Sequence, residues 1–217
     1  MKAAARVRKR WYVKAELHYN LSFTTASLRP ELARIVAEYF LRLRDWATTK
    51  AELRADNALQ CRSANAKRNV EREMRTRVQL LTDAQLRILA AAPADDRSAM
   101  AWLAMCKRSG FVMDFAVEVL CPKLAAHDPE LRRSDYEAFF EGKCPTHPEL
   151  VALTVESRAK IRQSLLRMLV EAGLLIKGKP IGKLQRPVLS PQVVRAIEAD
   201  SPSWFAGLLV PAEQQAE

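Results

Sequence analysis

Apolar residues recur at three- and four-residue spacing along most of the chain, which is the pattern of helices with one buried face. Leu32, Ile35, Val36, Tyr39, Phe40 and Leu43 make the first such stripe. Pro30 ahead of them suits a first helical turn, where a missing amide leaves nothing unsatisfied. A second helix is expected from Asp45, as N-cap, to about Arg54. Asn57 opens a turn, and Ser63 caps a third helix reaching about Leu80. Residues 82–92 read as a shorter helix stopped by Pro93. Helices are expected again over 98–107 and 110–124, followed by AAHDPELRR as a loop.

Ser134 and Glu137 fit a capping box for a short helix ending at Gly142, and CPTHPEL reads as a second loop. Thr154 then caps a long helix to about Ala172, closed by Gly173. Beyond it the periodicity changes. Two short apolar runs, 174–176 and 187–189, flank a loop rich in Gly, Pro and Lys, which predicts a hairpin with a basic tip. Ser190-Pro191 starts a last helix, and the chain after Ala199 is expected to be loosely held.

Composition agrees with this outline. Only 6 of 217 residues are glycine, and Ala, Leu, Arg and Glu abound, as in helical proteins. The fold class expected is all-α with a small β-hairpin wing, in two lobes that each carry a helix-turn-helix element, the C-terminal one winged. The short polar run APADD marks the boundary. The organisation is then a basic arm over 1–20, an N-terminal lobe over 21–93, a C-terminal lobe over 94–200 and a tail over 201–217. The arm carries Trp11 and Tyr12 among basic residues, a setting suited to base stacking.

Charge narrows the function. Lys and Arg number 35 against 25 Asp and Glu, a formal net charge of +10, which suits a polyanionic partner. No run of about 18 uncharged apolar residues exists to span a bilayer, since the most apolar stretch carries Asp114 and Glu118. The basic N-terminus lacks the apolar core of a signal peptide, so a cytoplasmic protein with free thiols is expected.

Two helices locate the charge. On the helix beginning at Ser63, Ala66, Val70, Met74 and Val78 share one stripe. Arg68, Arg72 and Arg75 fall on the opposite side, with Asn65, Asn69 and Thr76 beside them, and Lys67 joins Asn65, Arg68, Asn69, Arg72 and Arg75 as a candidate DNA contact. These are side chains that read a major groove, Arg on guanine or phosphate and Asn on adenine. Glu71 and Glu73 offer the plainer reading of local pairing with Arg75 and Arg77. Arg77 lies at the edge of the apolar stripe and is expected to pair internally. On the helix after Thr154, Ile161, Leu165, Met168, Leu169 and Ala172 are buried in expectation. Arg158, Lys160, Arg162, Gln163 and Arg167 form the outer set, and Lys177, Lys179, Lys183 and Arg186 extend it along the hairpin. Between Thr154 and Ser190 eight basic residues stand against two acidic ones. A protein-interaction flap remains the alternative for the hairpin.

Catalytic signals are weak: no phosphate-cradling glycine loop, HExxH or serine elbow is present, so no enzyme and no cofactor is expected. Cys121, His127, Cys144 and His147 are of the types that bind zinc, with Cys144-x-x-His147 as one half, but the spacing of Cys121 and His127 is poor. No metal site is therefore expected, and Cys61 and Cys106 read as packed hydrophobes.

A family resemblance joins these pieces. Asp45-Trp46, Asn57-Ala58-Leu59, Ser63 through Arg77, Asp135-Tyr136-x-x-Phe139-Phe140, His147-Pro148-Glu149-Leu150 and Arg167 through Leu175 follow the order and spacing of the BrxA family of BREX bacteriophage-defence systems. The chain resembles that family over roughly residues 20–190. The resemblance implies a helical, non-catalytic protein that binds double-stranded DNA, with other BREX proteins as partners. It implies helical packing similar to the antitermination factor NusB, which keeps RNA binding as the alternative, beside a scaffold for larger defence enzymes. Some relatives carry an inner-membrane label, to which this sequence gives no support.

Overall fold

Side-chain caps set many of the helix boundaries. The computed structural model describes residues 19–179 and 181–210. A 3-10 turn at Ser22–Thr25 precedes α1 (Pro30–Leu43). The Asp45 carboxylate accepts from the Thr48 amide at 2.6 Å and starts α2 (Trp46–Ala55). The Ser63 hydroxyl accepts from the Ala66 amide and starts α3 (Ala64–Val78). Thr82 and Gln85 cap α4 (Asp83–Ala91) reciprocally.

Helix α5 (Ala94–Arg108) begins four residues earlier than its pattern suggested, directly after Pro93. APADD is thus the first turn of a helix and no linker. Asp96 is buried there and accepts from the Ser190 hydroxyl (2.6 Å) and the Gln192 amide nitrogen (2.8 Å). Buried residues on both sides of position 93 form one core. Helix α4 packs on α1 and α5 within it.

The stretch expected as one helix over 110–124 has three parts: α6 (Gly110–Phe115), a π turn at Ala116–Leu120 and α7 (Cys121–Ala125). Pro122 explains the break. Its ring has no amide and would meet the carbonyl four residues back, and the wider π turn makes room.

The region after α7 holds a three-stranded sheet. Strand β1 (Glu130–Leu131) lies inside the segment read as a loop, with Leu131 fully buried. Helix α8 (Arg133–Lys143) starts before Ser134, so the expected capping box is replaced. Asp135 instead accepts from the Arg132 amide at 2.7 Å. The second expected loop contains a short helix, α9 (Pro148–Val151). Thr154 caps α10 (Val155–Glu171), and Gly173 follows it at φ 71°, a conformation glycine adopts without strain. Strands β2 (Leu175–Lys177) and β3 (Gly182–Leu184) form the hairpin, and the sheet order is β1-β3-β2.

The second hairpin strand is therefore five residues earlier than the apolar run at 187–189. Leu184 faces the core opposite Leu175. At Gly182 a side chain would sit 2.3 Å from the Ile176 carbonyl oxygen, so the strands approach where glycine stands.

Helix α11 (Pro191–Glu198) packs on α4 and α5. The segment after it is not loosely held. It forms a 3-10 helix at Pro202–Leu208 with Phe205, Leu208 and Leu209 buried, and Trp102 donates its indole N–H to the Gly207 carbonyl at 2.7 Å. Lys107, buried nearby, donates to the Leu80 carbonyl and the Gln85 side chain and pairs with Asp200 at 2.6 Å. A buried ammonium needs such a full set of partners.

The packed chain also begins earlier than residue 21. Tyr19 is buried, stacks on His147 at 3.5 Å between centroids and donates its hydroxyl to Asp114 at 2.6 Å. The rest of the expected arm, with Trp11 and Tyr12, lies outside the described residues.

Candidate nucleic-acid interface

Two buried carboxylates organise α3. Asn57 holds the turn between α2 and α3, with φ 47°; its side chain donates to the Cys61 carbonyl and accepts from the Cys61 amide. Leu53 and Leu59 bury beneath that turn. Glu71, 1 % exposed, accepts from Arg54 Nε at 2.9 Å and Arg75 Nε at 2.5 Å, which clamps α3 to α2. Glu73, also buried, accepts from the Ser22 hydroxyl and from Arg77 Nε. Arg77 in turn donates to the Ala26 and Ser27 carbonyls at 2.8 Å each. Burial lowers the Arg77 pKa, and the Glu73 carboxylate opposes that shift.

The consequence is a clean outer face. Arg75, expected to project outward, is turned into the Glu71 pair and half-buried. Asn65, Arg68 and Arg72 are exposed, with Lys67 and Asn69 partly so. Asn69 donates to the Asn65 side-chain oxygen at 3.3 Å. Among the described residues Lys67, Arg68 and Arg72 have no hydrogen-bond or ion-pair partner in their side chains. Several other surface arginines are paired, Arg34 with Glu31 and Glu38, Arg42 with Glu52, Arg87 with Asp83 and Arg132 with Asp128, whereas Arg29 and Arg195 are exposed without an ion-pair partner among the described residues.

Helix α10 divides its outer set. Lys160, Gln163 and Arg167 are exposed and unpartnered among the described residues. Arg158 is drawn inward, its guanidinium 5.3 Å from the Phe140 ring centre and donating to the Val151 carbonyl. Arg162 lies 3.5 Å from Glu137, which also holds Arg133 at 2.5 Å. On the hairpin Lys177, Lys179 and Lys183 are exposed. Arg186 is exposed but donates Nε to the Leu209 carbonyl, so part of its fork is committed. The stripe of Ile161, Leu165, Met168, Leu169 and Ala172 is buried as its spacing implied.

Two charged neighbours of these faces carry no signal in the helical pattern. Arg62, exposed and unpartnered, sits just before the Ser63 cap, outside the helix that the wheel described. Glu137 is the acidic neighbour of α10, and only packing of α8 beside α10 brings it there.

Cys121, His127, Cys144 and His147 have separate roles and surroundings. Cys121 donates its thiol to the Ala206 carbonyl, and burial pushes that thiol up to about 11. His147 stacks on Tyr19 and lies 3.1 Å from Glu149. His127 is exposed on a loop at φ 55°. Among the described residues no three His, Cys, Asp or Glu side chains gather as a metal site, and no helix is long and apolar enough to cross a membrane. Cys106 is fully buried, and burial raises its thiol pKa.

Comparisons with known proteins bear on this arrangement. A solved structure of an uncharacterized protein from Magnetospirillum magneticum superimposes with a TM-score of 0.72 at 18% identity, covering 88% of this chain and 98% of that one. It shares the fold. The chain is 24% identical over 156 residues to the BREX protein BrxA of Bacillus cereus (strain H3081.97), covering 72% of this chain and 78% of that protein. It is 26% identical over 141 residues to the BREX protein BrxA of Escherichia coli O9:H4 (strain HS), covering 65% and 66%. The family model BrxA matches residues 17–201, nearly the whole described chain, and the chain belongs to the BrxA family.

Proposed function

We propose that this chain is a non-catalytic, double-stranded DNA-binding component of a BREX phage-defence system, acting in the cytoplasm beside other BREX proteins. Its relatives are BREX proteins by name. The observation that carries the DNA reading is the inward turn of Glu71 and Glu73, which leaves Lys67, Arg68 and Arg72 uncompensated on α3. A second observation supports it. The order α7, β1, α8, α9, α10, β2, β3, with sheet order β1-β3-β2, supports a winged helix-turn-helix reading in which short α9 lies between the two helices of the motif and the hairpin carries Lys177, Lys179 and Lys183. Such a unit places its long helix in the major groove and its wing along the backbone. Three acidic groups beside these faces, Glu71, Glu73 and Glu137, are each occupied by arginine, and only Glu156 in the first turn of α10 stands exposed without one on the two helices, which favours a binding role over a metal-assisted nuclease.

A gel-shift series in rising salt, comparing duplex DNA, single strands and structured RNA, tests the reading. Duplex retention is expected to fall by about 0.9 log units in affinity per log unit of salt for each phosphate contacted. Arg68→Ala combined with Arg72→Ala is expected to weaken retention and leave the melting temperature nearly unchanged, because both side chains are exposed. Structured RNA displacing duplex DNA of equal length at equal salt is the outcome that defeats the DNA reading.

Glu137 supplies a second test. Its carboxylate competes with phosphate for Arg133 and Arg162. Glu137→Gln should tighten duplex binding roughly two- to fivefold at low salt, since each such exposed pair is worth up to about 1 kcal/mol. Unchanged or weaker binding in a titration shows that Arg162 takes no part.

A further inference from the structure

We infer that the two basic units divide the labour: α3 reads base edges, and the β2–β3 hairpin holds phosphate without reading sequence. This rests on the DNA-binding reading above and goes beyond it by assigning sequence preference to particular residues.

The argument is one of side-chain chemistry. Asn65, Arg68, Asn69 and Arg72 stand at helical intervals of three and four, so they form a single strip. That strip is about 10 Å long at 1.5 Å per residue, the length of about three stacked base pairs. Each of its side chains is planar and can present two hydrogen-bonding atoms at once. Arg matches the two acceptors of guanine, and Asn matches the donor and acceptor of adenine. Arg68 and Arg72 keep their forks free, because Glu71 is buried and saturated by Arg54 and Arg75. The Asn65–Asn69 hydrogen bond joins the two amides on the same strip. No carboxylate stands among them.

The hairpin is different in kind. Its free cations are three lysines, and an ammonium is a compact point charge with no fixed fork. The one arginine beside them, Arg186, has already given its Nε to the Leu209 carbonyl. Lysines of this sort attract phosphate from any sequence. The outer face of α10 is also less suited to reading. Its exposed residues include Val155, Glu156 and Ala159 beside Lys160, Gln163 and Arg167, so a carboxylate and small apolar groups interrupt the donors.

Selection of binders from a pool of random duplexes tests the division. The unmodified protein is expected to enrich a short motif containing guanine and adenine within about three base pairs. Arg68→Lys keeps the charge and removes the fork. It should flatten the preference at one position by about 5- to 150-fold while leaving the salt dependence in place. Asn69→Ala should do the same at a neighbouring position. Lys177→Ala and Lys183→Ala should keep the motif and lower the salt slope by about one unit each. All four positions are surface ones, and a melting curve for each variant checks that the fold is kept. Enrichment of no motif by a protein that does retain duplexes overturns this inference alone. A motif that survives Arg68→Lys and Asn69→Ala but vanishes in Gln163→Ala overturns it as well. Failure of the unmodified protein to retain any duplex at low salt removes the DNA reading and this inference together.

Discussion

Replacing Arg77 by alanine is expected to destabilise the fold by about 3–5 kcal/mol, the range for breaking a buried ion pair from one side. Arg77 is 2 % exposed and makes three hydrogen bonds. Its loss leaves the Glu73 carboxylate buried with only the Ser22 hydroxyl, and it orphans the carbonyls of Ala26 and Ser27. Those carbonyls belong to the segment that packs against both α3 and α10. Denaturant unfolding followed by circular dichroism measures the effect. A double change, Arg77→Met with Glu73→Leu, removes both charges and should recover much of the loss, because a desolvated pair is costly to keep. The outer cations of α3 are untouched, so DNA retention by folded Arg77→Ala protein should stay near normal. A stability loss below about 1 kcal/mol is the result that contradicts the buried-pair account.

Phe111→Ala should cost a similar amount, about 3–5 kcal/mol, for a different reason. Phe111 is fully buried at the centre of an aromatic cluster. Its ring lies 5.5 Å from Tyr19, 5.3 Å from Phe139 and 6.3 Å from both Phe23 and Phe140, mostly in edge-to-face contacts. Truncation opens a cavity lined by these four rings and by Tyr136, 6.4 Å away, and rigid rings collapse poorly into a void. The cluster joins the segment around Phe23 to α8, the helix beneath α10. The variant should therefore loosen the C-terminal unit as well as the core. Thermal unfolding gives the magnitude, and Phe111→Leu, which keeps most of the volume, should show a clearly smaller loss. Equal losses for the two substitutions contradict the cavity argument.

Much of the helical outline could be read from local signals. Asp45, Ser63 and Thr154 cap the helices their positions suggested, because a cap needs only neighbours within three residues. Gly173 ends α10 in the left-handed conformation for an equally local reason. The misplaced elements had non-local causes. Strand β3 lies between β2 and β1, and its pairing with β1, some fifty residues earlier in the chain, is information that no pattern around Gly182 contains. The π turn answers a collision with Pro122. The chain after Ala199 is ordered by Trp102, a hundred residues upstream.

The candidate interface divides in the same way. That α3 and α10 each carry a basic face follows from residue order and helical geometry alone. Which cations stay free does not. Arg68 and Arg75 are both off the apolar stripe, yet one is exposed and the other is held by Glu71. Arg162 is half-buried and lies beside Glu137, which α8 brings there, whereas Lys160 is exposed and unpaired among the described residues.

By itself the order of amino acids determined the helical character of this protein, the caps at Asp45, Ser63 and Thr154, its positive charge and the two helices that bear it. Each of these depends on contacts between near neighbours or on counting. Tertiary structure decided where the sheet forms, that both halves share one core, and which arginines pair inward. Burial and ion pairing between distant segments are properties of the folded chain, since only folding brings such groups within a few ångströms and excludes the water that would otherwise screen them.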